Sequence, residues 1–129
     1  MKRFGSSITF LYYSDFEKGC SFIEKVLDLD LVMDQGFARV YKISDTSFLG
    51  AVKKSDGSIS TEYVGGTLLS LNTHSVINEF ERVKKLDVAE LSEIQFFEKI
   101  PLKSFFFKDH ENHDFEIQEF ISPKDKLIF

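Results

Sequence analysis

Hydrophobic and polar positions follow the same order twice along this chain. Residues 8–28 and residues 66–86 each contain a short apolar run, a polar turn, and then apolar residues at helical spacing. Aligning Phe80 with Phe22 also places Leu69 on Leu11. A repeat of this kind indicates how a chain is built before any single residue is interpreted. It predicts two similar units in tandem.

The first unit is predicted to contain one strand, one helix and three further strands. Ser14 and Glu17 form a capping-box pattern at the start of the helix, which runs to about residue 28. The predicted strands alternate β-branched, aromatic and polar residues, and they cover residues 7–13, 30–34, 37–43 and 47–53. The predicted buried stripe of the helix consists of Phe16, Cys20, Ile23 and Leu27.

The second unit repeats this order after a polar, Gly- and Ser-rich linker at about residues 54–65. Thr73 or Ser75 is the predicted cap of its helix. The helix stripe consists of Val76, Ile77, Phe80 and Val83, and strands are predicted at 67–72, about 95–98, 102–108 and 114–120. The apolar residues 127–129 are expected to dock on the body of the protein or on a second subunit.

Composition narrows the class of protein. The 129 residues suit one domain, with 43% hydrophobic and 29% charged residues. A net charge of −5 without a basic stripe argues against a nucleic-acid partner. No apolar run approaches the roughly 20 residues of a membrane span, and no signal-peptide core follows the start of the chain. A single cysteine, Cys20, allows no internal disulfide, which favours the cytoplasm.

Two stretches carry a resemblance to a known family. LYYSDFEKGCSFIEKVLDLDLV is similar to the opening signature, and SFFFKDHENHDFEIQEF to the closing signature, of the vicinal oxygen chelate superfamily. This superfamily includes glyoxalase I, bleomycin-resistance proteins and extradiol dioxygenases, and the resemblance covers about residues 7–120. It implies a single α+β domain over residues 1–129, with unit one at about 7–53 and unit two at about 66–120.

The resemblance also implies the shape and assembly of the protein. Two tandem βαβββ units should form an incomplete, barrel-like curved mixed sheet, with the helices on its convex side and a site on its concave side. Many members of the superfamily form dimers, so a homodimer, of bacterial origin, is expected.

Metal-dependent members of the superfamily place one ligand on the first strand and one on the last strand of each unit. Carried onto this sequence, these positions are Ile8, Gly50, Gly66 and Glu116. Only Glu116 has a side chain that binds a metal, and none of the predicted strands contains a histidine. The sequence therefore predicts no cofactor and argues against a divalent metal.

Strand alternation predicts which side chains face the concave site. In the last strand it directs Glu116 and Gln118 into the site, and Phe115 and Ile117 towards the helices. In the strand predicted at 37–43 the sequence does not show which side chains face the site, so Arg39 or Tyr41 could also belong to it. The candidate ligand-binding residues are Tyr12, Phe48, Gly50, Gly66, Ser70, Phe106, Glu116 and Gln118.

Several of these residues have competing interpretations. Glu116 is a candidate general base, or else a carboxylate that is hydrated or paired with Arg39 or a lysine. The two glycines, Gly50 and Gly66, leave space for a ligand group. The histidines of the DHENHD segment fit a turn of solvated polar residues, with Asn112 in the left-handed conformation.

Three functions remain open at this point. The first is a metal-free protein that binds a small organic molecule in an aromatic cavity, since apolar walls with a few polar anchors are typical of such sites. The second is a glyoxalase-type lyase or isomerase in which Glu116 is the proton-transfer base. The third is a structural or interaction protein whose cavity is filled by phenylalanine side chains.

Overall fold

The computed structural model describes residues 3–62 and 65–129. The chain divides into two compact units, and the division lies between residues 64 and 65. Each unit is a four-stranded mixed sheet with one main helix packed on it, and the element order confirms the predicted pair of βαβββ units. Within the described residues, the helices are too short to cross a membrane.

Unit 1 contains one helix and four strands. Its elements are β1 (Ser7–Tyr13), α1 (Phe16–Lys25), β2 (Asp30–Asp34), β3 (Ala38–Ser44) and β4 (Ser47–Lys53). The strand order is β1-β4-β3-β2, and β1 runs parallel to β4 while the other pairs are antiparallel. The strands predicted at 7–13, 30–34 and 47–53 are confirmed, and β3 begins one residue later than predicted.

Unit 2 has the same topology. Its elements are β5 (Leu68–Asn72), α2 (Val76–Lys84), β6 (Gln95–Phe97), β7 (Leu102–Lys108), β8 (Asp114–Phe120) and a short α3 (Pro123–Lys126). The strand order is β5-β8-β7-β6, with β5 parallel to β8. In both units the first strand therefore pairs with the last and runs parallel to it.

The core of unit 1 lies between its sheet and α1. Tyr13 and Leu49 are completely buried, and the stripe residues Cys20 and Ile23 face them from α1. The Tyr13 ring lies so close to Gly19 that a Cβ there would be 2.5 Å from Cγ of the ring. Burial raises the pKa of the Cys20 thiol, so this side chain remains neutral and apolar in the core.

The core of unit 2 is built from phenylalanine rings. Phe80 of α2 packs edge-on against Phe105 at a centroid distance of 5.3 Å. Phe105 stacks on Phe107 at 5.9 Å, and Phe107 stacks on Phe115 at 5.5 Å. These contacts identify the sheet face that packs against α2. The predicted stripe of α2 is wrong at Ile77, which is 56% exposed because it lies one position beyond the buried Val76 and faces away from the sheet.

The helix caps differ in part from the prediction. The N-cap of α1 is Asp15 and not Ser14, and its carboxylate accepts a hydrogen bond from the Lys18 amide at 3.1 Å. The predicted capping box is therefore wrong, because Glu17 turns away from the cap and pairs with Arg39. The N-cap of α2 is Ser75, one of the two predicted candidates.

The segment after β8 packs on its own unit through one aromatic contact. The Phe129 ring stacks on Phe120 at a centroid distance of 4.6 Å. Leu127 and Ile128 remain 90% and 66% exposed. Residues 127–129 therefore contact the body through the Phe129 ring, and Phe129 itself is 62% exposed.

Candidate functional site

Each sheet has one face against its helix and a second face, which we call the far face. In unit 2 the far face carries the alternate residues of β7 and β8, since Phe105, Phe107 and Phe115 point to α2. In unit 1 the same alternation places the buried Leu11 and Tyr13 on the helix side, and Phe10 and Tyr12 on the far face. The sequence-predicted site residues on strands all lie on far faces.

The far face of unit 1 is apolar around Gly50 and partly filled there by its own side chains. Phe10 pairs with Gly50 across β1 and β4, and its ring occupies the space that a Cβ at Gly50 would need. The prediction that Gly50 leaves room for a ligand group is therefore wrong. Phe48, two residues earlier on β4, is half-buried on the same face.

Tyr12 is also engaged within unit 1. Its ring lies against Gly57, and its hydroxyl accepts a hydrogen bond from the Ile59 amide at 3.3 Å. The residue thus holds the segment that follows β4 against the sheet. A role for Tyr12 in ligand binding stays a prediction. A ligand that binds the Tyr12 hydroxyl would do so beside its existing hydrogen bond from the Ile59 amide.

Arg39 and Tyr41 both contact α1 and not the far face. Arg39 pairs with Glu17 at 3.0 Å and lies over the Phe16 ring at 5.1 Å, and the Glu17 carboxylate raises the pKa of the guanidinium. Tyr41 is completely buried and donates a hydrogen bond to Glu24 at 2.6 Å. The interpretation in which Arg39 neutralises Glu116 is therefore wrong.

The far face of unit 2 carries a buried carboxylate. Glu116 is 8% exposed and lies between Ser70 on β5 and Phe106 on β7 in the strand register. The Ser70 hydroxyl donates a hydrogen bond to Oε1 of Glu116 at 2.5 Å. Among the described residues, Oε2 has no hydrogen-bond partner and the carboxylate has no ion pair. Because Oε2 is not among the fully enclosed atoms without a partner, it keeps some contact with solvent.

A row of polar side chains crosses the sheet next to Glu116. The register places Asn72, Gln118, Ser104 and Gln95 side by side on four neighbouring strands. Gln118 donates a hydrogen bond from Nε2 to Oδ1 of Asn72 at 3.0 Å. Ser104 is completely buried, and its hydroxyl has no hydrogen-bond partner among the described residues. We call Asn72, Gln118, Ser104 and Gln95 the polar row.

Sequence reasoning identified Gln118 and missed Ser104 and Gln95. Ser104 lies two residues before Phe106, so strand alternation already placed both on one face. Gln95 could not be assigned to this face from the sequence, because its pairing with Ser104 is a long-range contact.

Gly66 does not occupy the position that the repeat suggested. It lies two residues before β5 with φ +79°, and Ser70 is the residue that pairs with Glu116. The structure aligns the units through their buried stripes, with Phe16, Cys20 and Ile23 matching Val76, Phe80 and Val83. The two units match in which helix positions are buried, and not in which residue types occupy them. Aligning the two phenylalanines Phe22 and Phe80 therefore gave the wrong offset between the units.

The turn between β7 and β8 is a buried polar network. Asp109 and His113 are 1% and 8% exposed, so the predicted solvated turn is wrong for both residues. Oδ1 of Asp109 accepts hydrogen bonds from the amides of Glu111 and His113, each at 3.0 Å, and Oδ2 lies 2.9 Å from Nδ1 of His113. Asn112 adopts the predicted left-handed conformation, with φ 67°. The network is part of the turn's structure.

The side chains present do not fit a divalent metal. Of the four positions that the resemblance suggested, only Glu116 carries a ligand group, and replacing Gly66 by Ser70 adds a hydroxyl that already bonds to Glu116. In the described ranges no three His, Cys, Asp or Glu side chains converge as a metal-binding group. A metal site needs several such ligands at about 2.0–2.6 Å.

A small cavity lies beyond the Asn72 end of the polar row. Its volume is about 70 Å³. It is lined by Asn72, Thr73, His74, Glu119, Phe120, Lys126 and Phe129. All of these residues belong to unit 2, and the cavity lies between the ends of β5 and β8 and the segment after β8.

Compared by sequence alone, the chain matches no protein-family model and no curated protein. Its structure is similar to lactoylglutathione lyase from Agrobacterium tumefaciens, with a TM-score of 0.70 and 16% identity over 87% of this chain and 90% of that one. It is similar to TioX from Micromonospora sp. ML1, with a TM-score of 0.73 and 14% identity over 90% and 98% of the two chains. It is also similar to the fosfomycin resistance protein FosX from Mesorhizobium loti, with a TM-score of 0.67 and 22% identity over 98% and 99%. The chain therefore has the fold of the vicinal oxygen chelate superfamily.

Proposed function

We propose that this protein binds a small organic molecule on the far face of unit 2, without a metal ion. The observation that carries the proposal is Glu116, a carboxylate that is 8% exposed, has one hydroxyl partner and keeps one oxygen open to a ligand. Burying an ionised group without a charged partner is costly, and a bound ligand offsets that cost.

The surroundings of Glu116 suit a small-molecule site. Phe106 supplies an aromatic surface on one side, and the polar row supplies amide and hydroxyl groups on the neighbouring strand positions. Small-molecule sites typically combine apolar surface with a few fixed polar groups. The far face of unit 1 lacks this combination, because Phe10 covers Gly50 and Tyr12 is bonded to its own chain.

The test uses a substitution that fills the proposed site. Melting temperatures are measured with a collection of aromatic compounds that includes cationic, neutral and anionic members. A compound that binds only the folded protein raises the melting temperature saturably, by mass action. We expect at least one such compound for the wild type and no response in Ser70→Leu.

Thr9→Leu is the matched control, because Thr9 is exposed on β1 of unit 1 and its replacement adds similar volume outside the site. It should keep the full response. Absence of any binder, or a response that survives in Ser70→Leu, contradicts the proposal.

A glyoxalase-type lyase or isomerase is the second candidate function. It is supported by the open Oε2 of Glu116, which is placed to accept a proton while Ser70 donates to Oε1. The similarity to a lactoylglutathione lyase is the other support. Formation of lactoylglutathione by the wild type and its loss in Glu116→Gln, with the fold intact, would favour this function over simple binding. The homodimer, the cytoplasmic location and the bacterial origin stay predictions.

A further inference from the structure

We infer that the ligand of this site is an aromatic organic cation, in which an ammonium or amidinium group binds Oε2 of Glu116. The inference rests on the proposed function and adds the charge and hydrogen-bonding class of the ligand.

Glu116 has no positively charged partner among the described residues. Ser70 gives Glu116 one hydrogen bond and no positive charge, and the described residues place no lysine, arginine or histidine in an ion pair with this carboxylate. Asp114 on the same strand, by contrast, is neutralised by Lys108 at 2.9 Å. A ligand with a positive group supplies the counter-charge that the fold omits at Glu116.

The hydrogen-bonding groups beside Glu116 favour a ligand that donates hydrogen bonds. Gln118 uses its Nε2 to donate to Asn72, so its Oε1 remains as an acceptor beside the site. Glu116 and Gln118 are two residues apart on β8, which separates their Cα atoms by about 7 Å on one face. The site thus presents two acceptors to a ligand, and a group with several N–H donors satisfies both better than a carboxylate or a carbonyl does.

Glu116 also has an aromatic neighbour on the adjacent strand. Phe106 pairs with Glu116 across β7 and β8 and is half-buried. A phenyl ring attracts a cation to its face and an aromatic ring to its face or edge. Phe106 therefore contributes to holding both parts of an aromatic cation, while the carboxylate fixes the charged end.

The probes are benzylamine, benzamidine, benzyl alcohol and benzoate, which have one ring and similar size but different charge. Binding is measured by melting temperature and by titration calorimetry at low and at physiological salt. We expect benzylamine and benzamidine to raise the melting temperature saturably and to bind at least tenfold more tightly than benzyl alcohol, and benzoate to give no shift. Higher salt should weaken the binding of the two cations, because part of their affinity is electrostatic.

Two variants distinguish the effect of the Glu116 charge on binding from the effect of its side-chain shape. Glu116→Gln should lose the tenfold preference for the cations, and its melting temperature without ligand should equal or exceed that of the wild type, since an unpaired buried charge is removed. Glu98→Gln is the control, because it removes one exposed negative charge from unit 2 outside the site and should bind the cations as the wild type does.

The outcomes distinguish the inference from the function on which it rests. If benzyl alcohol or benzoate binds as tightly as the cations, or if Glu116→Gln keeps the preference for cations, the inference is overturned and small-molecule binding stands. If none of the four probes binds and the wider collection yields no binder, both are overturned.

Discussion

Burial affects the polar groups Tyr41 and Glu116 in different ways. Tyr41 is completely buried, but its hydroxyl donates a hydrogen bond to the Glu24 carboxylate at 2.6 Å. Glu116 is nearly as buried, and its only hydrogen-bond partner among the described residues is the Ser70 hydroxyl. A satisfied buried group stabilises the fold, whereas a partly satisfied one leaves bonding capacity for a ligand.

The first prediction concerns Tyr41 and alkaline pH. Burial, and then the hydrogen bond to Glu24, raise the pKa of Tyr41 above its value in the unfolded chain. Its contribution to stability is therefore fully present below about pH 10 and is lost as the pH rises further, by up to about 1.4 kcal/mol per pH unit. Urea unfolding at pH 8, 9, 10 and 11 should show a smaller alkaline loss in Tyr41→Phe than in the wild type.

At neutral pH the same variant should be less stable by about 1–2 kcal/mol, because it leaves Glu24 without this partner. Equal alkaline slopes in the two proteins would show that Tyr41 ionises as easily in the fold as in the unfolded chain. The pKa of Cys20 is raised by burial and lowered in part by its hydrogen bond with Tyr41, so the comparison is made in a Cys20→Ala background, which removes this contribution from both proteins.

At the scale of elements, the start of α1 shows how one side chain determines where a helix begins. Asp15 caps the helix through the Lys18 amide, which frees Glu17 to join α1 to β3 through Arg39. The carboxylate of Asp15 also lies at the positive end of the helix dipole. The cap and the ion pair together fix the position of α1 on its sheet.

The second prediction tests this cap. Asp15→Ala should lower the free energy of unfolding by about 0.5–2 kcal/mol, because the Lys18 amide loses its acceptor. Asp15→Asn should retain most of the stability, since asparagine is an equally good N-cap. Chemical unfolding of both variants at neutral pH provides the measurement, and equal losses would mean that the charge of Asp15, and not its hydrogen bond, supports the helix.

At the scale of the whole molecule, one topology occurs twice with two different far faces. In unit 1 the ring of Phe10 covers Gly50, and the face around this glycine is apolar. In unit 2 the equivalent pair is Ser70 and Glu116, and the polar row lies beside it. The candidate site is therefore confined to one of the two repeats.

The third prediction is that the purified, untagged protein contains no stoichiometric metal. Added Ni, Zn, Mn or Fe(II) should not raise its melting temperature, since Glu116 is the only metal-binding group at the four suggested positions. Elemental analysis and thermal melts provide the measurement. A stoichiometric metal, or a saturable rise in melting temperature with one of these ions, would contradict the metal-free proposal.

The sequence by itself determined the order of the elements and the repeat of one topology. Both are encoded locally, because alternation and helical spacing can be read from neighbouring residues. Alternation also assigned Glu116 and Gln118 to one face of β8, and Phe115 to the other, which the ring contacts of Phe115 confirm. The resemblance to the vicinal oxygen chelate superfamily rested on the same local patterns.

Only the tertiary structure decided which partners the side chains have. It showed that Phe10 fills the space at Gly50, that Arg39 and Tyr41 contact α1, and that Ser70 is the partner of Glu116. Such contacts join residues far apart in sequence, and their geometry depends on the register of paired strands. Local patterns do not contain that register, so the polar row and the open carboxylate oxygen could be identified only after the chain was folded.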